Sequence, residues 1–215
     1  MTAILTTALA AGDVDPALLK ALGDHDDRME KHLDTHTLRI DAVVRDLDGS
    51  GKVKSTTTSK LEQTRVGGKL KTKVLAATKD GADNLEDEKK RAAEADEKNE
   101  RTESPFAPRN QGKYRFRRIG PTDTGLLMIG FEPKGARVPE VLEGIAYVDE
   151  KAGEVVKQVM TPSKLPMFAD EVKMELEYET QTEAGRAVSK FVLAGAGGVL
   201  FVKRKGDLTM RFTFE

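Results

Sequence analysis

The chain has 215 residues and a formal net charge of −1, with 35 Lys and Arg set against 36 Asp and Glu. That balance leaves no global field to gather nucleic acid or an anionic membrane, and the absence of cysteine excludes disulfides, thiolate metal sites and cysteine nucleophiles. Aromatics are 5% of the residues and Trp is absent, so Leu, Val, Ile and Met must fill the interior.

The first residues, Met1 to Gly12, are apolar and carry Ala8-Leu9-Ala10, an A-x-A triplet with no basic stretch before it. Two readings fit: the tail of a signal peptide, and a plain apolar segment. Leu9-Ala10-Ala11 is also similar to the front of a bacterial lipobox, but Gly12 stands where the lipid-bearing cysteine would be. Residues 1–14 are therefore set apart as an N-terminal apolar segment, before one domain over 15–215. No run reaches the roughly 18 to 20 apolar residues that span a bilayer.

A helix is expected from Asp15, an N-cap, with Pro16 at its first position. Leu18, Leu19, Leu22, Met29 and Leu33 form one apolar stripe through His36. Strands follow over 38–47, 52–65 and 69–77, joined by turns at Asp48-Gly49-Ser50-Gly51 and Gly67-Gly68. A charged insertion over 84–103 has Leu85 as its only large apolar residue. Its acid-first i,i+4 pairs, such as Glu86/Lys90 and Asp87/Arg91, predict a solvated helix. Ser104-Pro105 and Pro108 end it. From Lys113 onward alternating strands are expected at 113–119, 125–132, 142–149, 154–161, 171–181, 186–194, 198–205 and 208–214, with turns at Gly195–Gly198 and Lys205–Asp207. The fold class is mainly β (α+β), with about eleven antiparallel strands.

Several short motifs invite chemistry. Asp46-Leu-Asp48-Gly-Ser50-Gly51 opens like a calcium loop, but Thr57 stands where a bidentate Glu is required, so a hairpin turn is expected. His25, His32 and His36 lie along the first helix, and His32/His36 have chelating i,i+4 spacing. No H-E-x-x-H motif frames them, and they are read as structural or surface residues. Lys113-Tyr114-Arg115-Phe116-Arg117-Arg118 reads as a strand with aromatics inward, in preference to a nucleic-acid face. No nucleophile elbow or phosphate loop is present. Glu175 and Glu177 alternate with apolar residues and should face solvent. No catalytic residue, metal site or cofactor is expected.

The layout resembles the periplasmic lipoprotein-carrier (LolA/LolB-like) superfamily of outer-membrane lipoprotein-sorting proteins. The residues that carry the resemblance are the N-terminal amphipathic helix, the strand Leu38 to Leu47 with its Asp48-Gly49 turn, and Lys79-Asp80-Gly81 before the charged helix. With them stand Leu127-Met-Ile129-Gly-Phe131-Glu-Pro133 and Leu142-Glu-Gly144-Ile-Ala-Tyr147-Val148-Asp149, followed by Gly153-Glu-Val-Val156. The last pair is similar to the family's "G-x-[VI]-[WY]-[VI]-D … V" hairpin, and the resemblance covers about Asp15 to Glu215. It implies an incomplete antiparallel β-barrel with helices over its open side, sheltering acyl chains. The charged helix departs from a hydrophobic lid, and no family residue is carried over by motif.

Physics independently points to a gap: one amphipathic helix cannot cover so long a one-faced sheet, which leaves exposed apolar surface or a cavity. Alternation nominates Leu127, Ile129, Phe131, Tyr147, Met174, Leu176, Tyr178, Met210 and Phe212 as cavity lining, with dry core as the competing reading. The expected function is a non-enzymatic periplasmic, exported and soluble carrier of lipid or lipoprotein acyl chains. Its expected partners are lipid or acylated lipoprotein and a membrane-associated donor or acceptor protein, with no nucleic acid. The competing expectation is a structural or protein-interaction module without a small-molecule ligand.

Overall fold

The computed structural model describes residues 12–66, 69–98, 104–199 and 202–215. The apolar N-terminal segment up to Ala11, the Gly67-Gly68 turn and the end of the charged helix lie outside the described residues. Helix α1 spans Pro16–Thr35, α2 Leu85–Lys98 and α3 Pro108–Gln111. The strands are β1 Gly12–Asp13, β2 Leu38–Leu47, β3 Val53–Val66, β4 Lys69–Lys79, β5 Ala82–Asp83, β6 Tyr114–Pro121 and β7 Leu127–Pro133. They continue with β8 Leu142–Asp149, β9 Glu154–Pro162, β10 Ala169–Glu177, β11 Thr180–Thr182, β12 Gly185–Ala187, β13 Lys190–Val199 and β14 Val202–Phe214.

Twelve strands form one antiparallel sheet in the order β1-β6-β7-β8-β9-β10-β13-β14-β2-β3-β4-β5, and β11 and β12 make a separate hairpin. The sheet's two end strands, β1 and β5, do not pair with each other, so it is an open barrel-like sheet. The mainly β class expected from alternation is therefore correct. The strand boundaries shift in two places. Gly195–Gly198 and Lys205–Asp207 are not turns; β13 and β14 run straight through them, in register from Lys190↔Arg211 to Val199↔Val202. Glycine here serves close approach, since a Cβ on Gly197 would strike the Phe168 carbonyl of the loop before β10. The β11–β12 hairpin replaces the end of the expected long strand over 171–181 and the start of the next.

The two faces of the sheet differ in character, although the outer one also carries Ile145, Val159, Val192 and Val43 in one row. Across the sheet Ile129, Ala146, Gln158, Leu176, Phe191, Met210, Ala42, Ser59 and Ala77 are successive cross-strand partners on the inner face. The neighbouring row on the outer face reads Tyr147, Lys157, Glu177, Lys190, Arg211, Asp41 and Lys60. Period-two alternation sends one row to the core and the other to water. Glu175 and Glu177 lie on that outer face, as expected, paired with Lys157 (2.6 Å) and Lys190 (3.2 Å).

Helix α1 begins as expected: the Ala17 N–H donates to the Asp15 carboxylate (2.8 Å), and Pro16 occupies the first turn. Its stripe packs against the inner face, touching β9 and β12 on one side and β3 on the other. Leu18 and Leu22 join Phe106, Tyr114, Phe116, Leu127, Ile129, Phe131, Val148 and Met160 in the larger core. Leu33 caps a smaller one around Leu38, Ile40 and Ala42.

The charged helix α2 packs beside the open side of the sheet. It lies along β4, where Asp96 accepts hydrogen bonds from the Thr72 backbone N–H and hydroxyl (2.7 Å each). The unpaired edge of β4 is thus covered by a polar helix, one of the ways natural sheets guard an edge. Among the described residues its ion pairs are i,i+3, Glu86–Lys89 (2.8 Å) and Glu88–Arg91 (3.5 Å), in place of the expected Glu86/Lys90 and Asp87/Arg91; the expected Glu94/Lys98 and Glu97/Arg101 each include a side chain outside them.

Gly144 on β8 marks the tightest approach between strands, because a Cβ there would overlap the Val159 carbonyl of β9. Gly144→Ala should force β8 and β9 apart and cost about 1–3 kcal/mol, measured as a lower urea midpoint with unchanged slope.

Candidate ligand-binding groove

Between the two cores the underside of α1 does not close onto the sheet. A groove of about 480 Å³ runs there, lined by Asp26, Met29, Glu30 and Leu33 from the helix. Its floor is Leu70, Leu176, Tyr178, Val188, Phe212 and Phe214 from the sheet. Residues 26, 29, 30 and 33 share one helical face, so the groove follows directly from α1's orientation. Leu176, Tyr178 and Ser104 also line an adjoining cavity of about 280 Å³, whose other walls are Pro105, Leu142, Gln158, Met160, Met174 and Phe191. The two spaces adjoin along the inner face, sharing Ser104, Leu176 and Tyr178, with apolar floors and a polar wall to the larger. The larger is of the size of small-molecule sites, roughly 300–1,000 Å³.

The polar wall carries both signs of charge. Arg109 bonds Glu30 (2.9 Å), and the mostly buried Arg65 pairs with Asp34 (2.9 Å). Behind the groove, His25 of α1 lies 3.9 Å from Glu154, and Arg186 lies 3.6 Å from the same carboxylate. Burial holds the His25 imidazole below its usual range, with the Glu154 carboxylate partly opposing that shift. Gly185, at φ +114°, admits this cluster, since a Cβ there would collide with Glu154 and His25. Asp26 is the most perturbed carboxyl. Burial raises its pKa to about 6, while a hydrogen bond with Ser104 pulls it down and Glu30 adds repulsion. Burial also raises the facing Tyr178 phenol, and the charge of Asp26 adds to that.

The nominated lining residues fall into four groups. Met174, Leu176, Tyr178 and Phe212 line these two spaces. Met210 stands one strand beyond Phe191 in the same inner row and packs on the smaller core. Leu127, Ile129 and Phe131 are core, exposed by 0, 0 and 3%. Phe106 packs over this region with its ring centroid 5.9 Å from Phe131. They are too far toward the covered end of the sheet to reach the groove. Tyr147 is corrected outright: its neighbours Ala146 and Val148 are fully buried, so alternation turns it to the outer face, opposite Lys157.

Sequence reasoning missed Asp26, Ser104, Arg109, Arg186, Phe191 and Phe214. For Asp26 a signal existed: the apolar stripe Leu18, Leu22, Met29, Leu33 has a gap that a carboxylate fills. A second, more open groove of about 790 Å³ lies at the glycine-rich end of the sheet, beside the exposed Met167 and Phe168.

Among known proteins, no family model matches the chain and no curated protein does. Among solved structures, the chain is similar to an outer membrane lipoprotein-sorting protein domain from Vibrio parahaemolyticus, at 12% identity and TM-score 0.40, over 89% of this chain and 92% of that one. It is also similar to the Pseudomonas aeruginosa MucA/MucB complex structure (11% identity, TM-score 0.27, 92% of this chain and 93% of that one). A structure of MucB in complex with MucA(peri) matches at 9% identity and TM-score 0.26, over 92% of this chain and 93% of that one.

Asp26 makes a pH prediction with a definite sign. Its folded pKa, about 6, lies above the ordinary value of 3.8, so the ionised carboxylate opposes folding. The native state binds more protons between pH 4 and 6, and this group's contribution to stability falls as pH rises through that window. Asp26→Asn should therefore stabilise the protein at pH 8, with the gain shrinking toward pH 4. Urea unfolding of both proteins at the two pH values measures it.

Proposed function

We propose that the protein is a non-enzymatic binder and carrier of acyl chains, of lipid or of acylated lipoprotein, that works in the periplasm by apolar sequestration. The observation that carries this reading is the pair of adjoining cavities under and beside α1, lined by Met174, Leu176, Phe191 and Phe212. Apolar surface of this kind gains about 0.8 kcal/mol for each CH₂ taken from water. The flexible thioethers of Met160 and Met174 adapt to chains of differing shape. Polar groups at the groove, Arg109, Arg186 and Glu30 among them, suit a headgroup held at the mouth. Export is supported by Ala8-Leu9-Ala10, and the sequence resemblance to lipoprotein carriers agrees with both parts of the proposal. No helix among the described residues is long and apolar enough to cross a membrane.

A protein-interaction module is the second reading, favoured by Leu165, Met167 and Phe168, exposed by 38, 81 and 59% on one loop. Lipid co-purification separates the two. Native mass spectrometry of the purified chain should show bound acyl lipid, and a clean apo mass with no fatty-acid uptake would overturn the carrier.

Leu176→Asp, at the wall shared by both cavities, should weaken displacement of a fluorescent fatty acid by at least tenfold, about 1.4 kcal/mol. Tyr147→Ala, on the outer face, should leave it unchanged. Equal loss in both variants would show that the cavities are not the binding site.

A further inference from the structure

Just beyond the groove, the C-terminal turn of α1 meets the tip of the β11–β12 hairpin. The hairpin is already tied to the helix there: the Arg28 Nε–H donates to the Ala184 carbonyl (3.3 Å), and Thr182 lies against Met29. One helical turn further on, His32 and His36 are stacked with ring centroids 3.8 Å apart, and Phe214 packs against His32 from the sheet (5.6 Å). Glu183, at the hairpin tip, brings a carboxylate oxygen to 3.7 Å from His32 Nδ1.

We propose that His32, His36 and Glu183 form a site for a divalent transition metal of the zinc class. One nitrogen from each imidazole and one carboxylate oxygen all lie within 4.8 Å of one another. His32 is 8% exposed, and its buried Nε2 has no hydrogen-bond partner, an unsatisfied position that a rearrangement onto a cation would relieve. The Nδ1–H of His36 donates to the His32 carbonyl (2.9 Å). That bond orients the ring in the manner of metal-binding histidines, whose non-ligating nitrogen commonly bonds a carbonyl. Two imidazoles and a carboxylate are a donor set suited to Zn²⁺, with water completing the tetrahedron. His32 is held by the last turn of α1 and His36 caps that helix in an extended conformation, whereas Glu183 is exposed and free to swing the short distance inward. Occupancy would clamp the hairpin onto α1 beside the groove, where Arg186 and Ala187 form part of the wall. The site is independent of what the groove holds.

The test is a titration of chelator-treated full-length chain with Zn²⁺ alone, followed by calorimetry and by thermal unfolding. One saturable ion per chain is expected, with a rise in Tm, because an ion that binds only the native state stabilises it. Co²⁺ in its place should give the visible absorption of a tetrahedral site. His36→Ala and Glu183→Gln, both at accessible positions, should weaken binding by at least about tenfold and abolish the Tm shift, while circular dichroism confirms that each variant is folded. No saturable binding to the unaltered chain would overturn the site. Undiminished binding to the folded double variant would overturn it too, by placing the ion elsewhere.

Discussion

The packing of α1 across the inner face of the sheet is the constraint on which the rest of the structure depends. A helix of 20 residues is about 30 Å long at 1.5 Å per residue. Twelve strands spaced about 4.8 Å apart present a width of about 50 Å. The sheet curls so that α1 reaches from β9 to β3, but the helix still has one stripe to offer two cores. Its first half, through Leu18 and Leu22, is spent on the β6–β9 core, and Leu33 on the β2–β3–β14 core. Between them the stripe carries Asp26 and Glu30, which cannot fill apolar space without losing their water. The groove results from that shortage.

The same shortage explains the chemistry of the groove. Asp26 is drawn into a poorly hydrated position beneath the helix, and burial there raises its pKa. His25, Glu154 and Arg186 sit behind it as a loosely paired cluster, with contacts of 3.6–3.9 Å. Groups this imperfectly satisfied do little for stability. They set the character of the wall: an apolar floor able to hold a chain, and a polar side able to hold its head.

The outer face and the edges solve a different problem. A large open sheet with an apolar inner face must avoid pairing with other sheets. Lys157, Glu177, Lys190, Arg211, Asp41 and Lys60 run across the outer face as a row of mixed charge. Helix α2 covers the flank of β4 through the two Thr72–Asp96 hydrogen bonds. The helix that departs from a hydrophobic lid in its sequence thus lies along β4, and the larger core of the inner face is covered by α1 together with Phe106.

Strand content, the start of α1 and the facing of most strands were legible in the residues, because each depends on local periodicity and capping: Asp15-Pro16 opens the helix, and Val172-Lys-Met174-Glu-Leu176 alternates. Which apolar residues line space and which fill core was not legible. Leu127 and Leu176 have the same local pattern, and only their positions beneath or beyond the covered stretch of sheet tell them apart. Tyr147 could have been placed from Ala146 and Val148 beside it, had the small alanine been counted as an inward residue. Gly195–Gly198 read as a turn because glycine permits one, whereas contact with Phe168 uses it to bring backbones together. The chelating spacing of His32 and His36 was legible, but Glu183 was beyond local reading, since it comes from a hairpin some 150 residues away along the chain. The amino-acid order by itself determined which segments form helix or strand and which faces are apolar. Tertiary structure alone decided where the apolar face goes uncovered and which distant groups meet, because both depend on the length of one helix set against the width of the sheet it crosses.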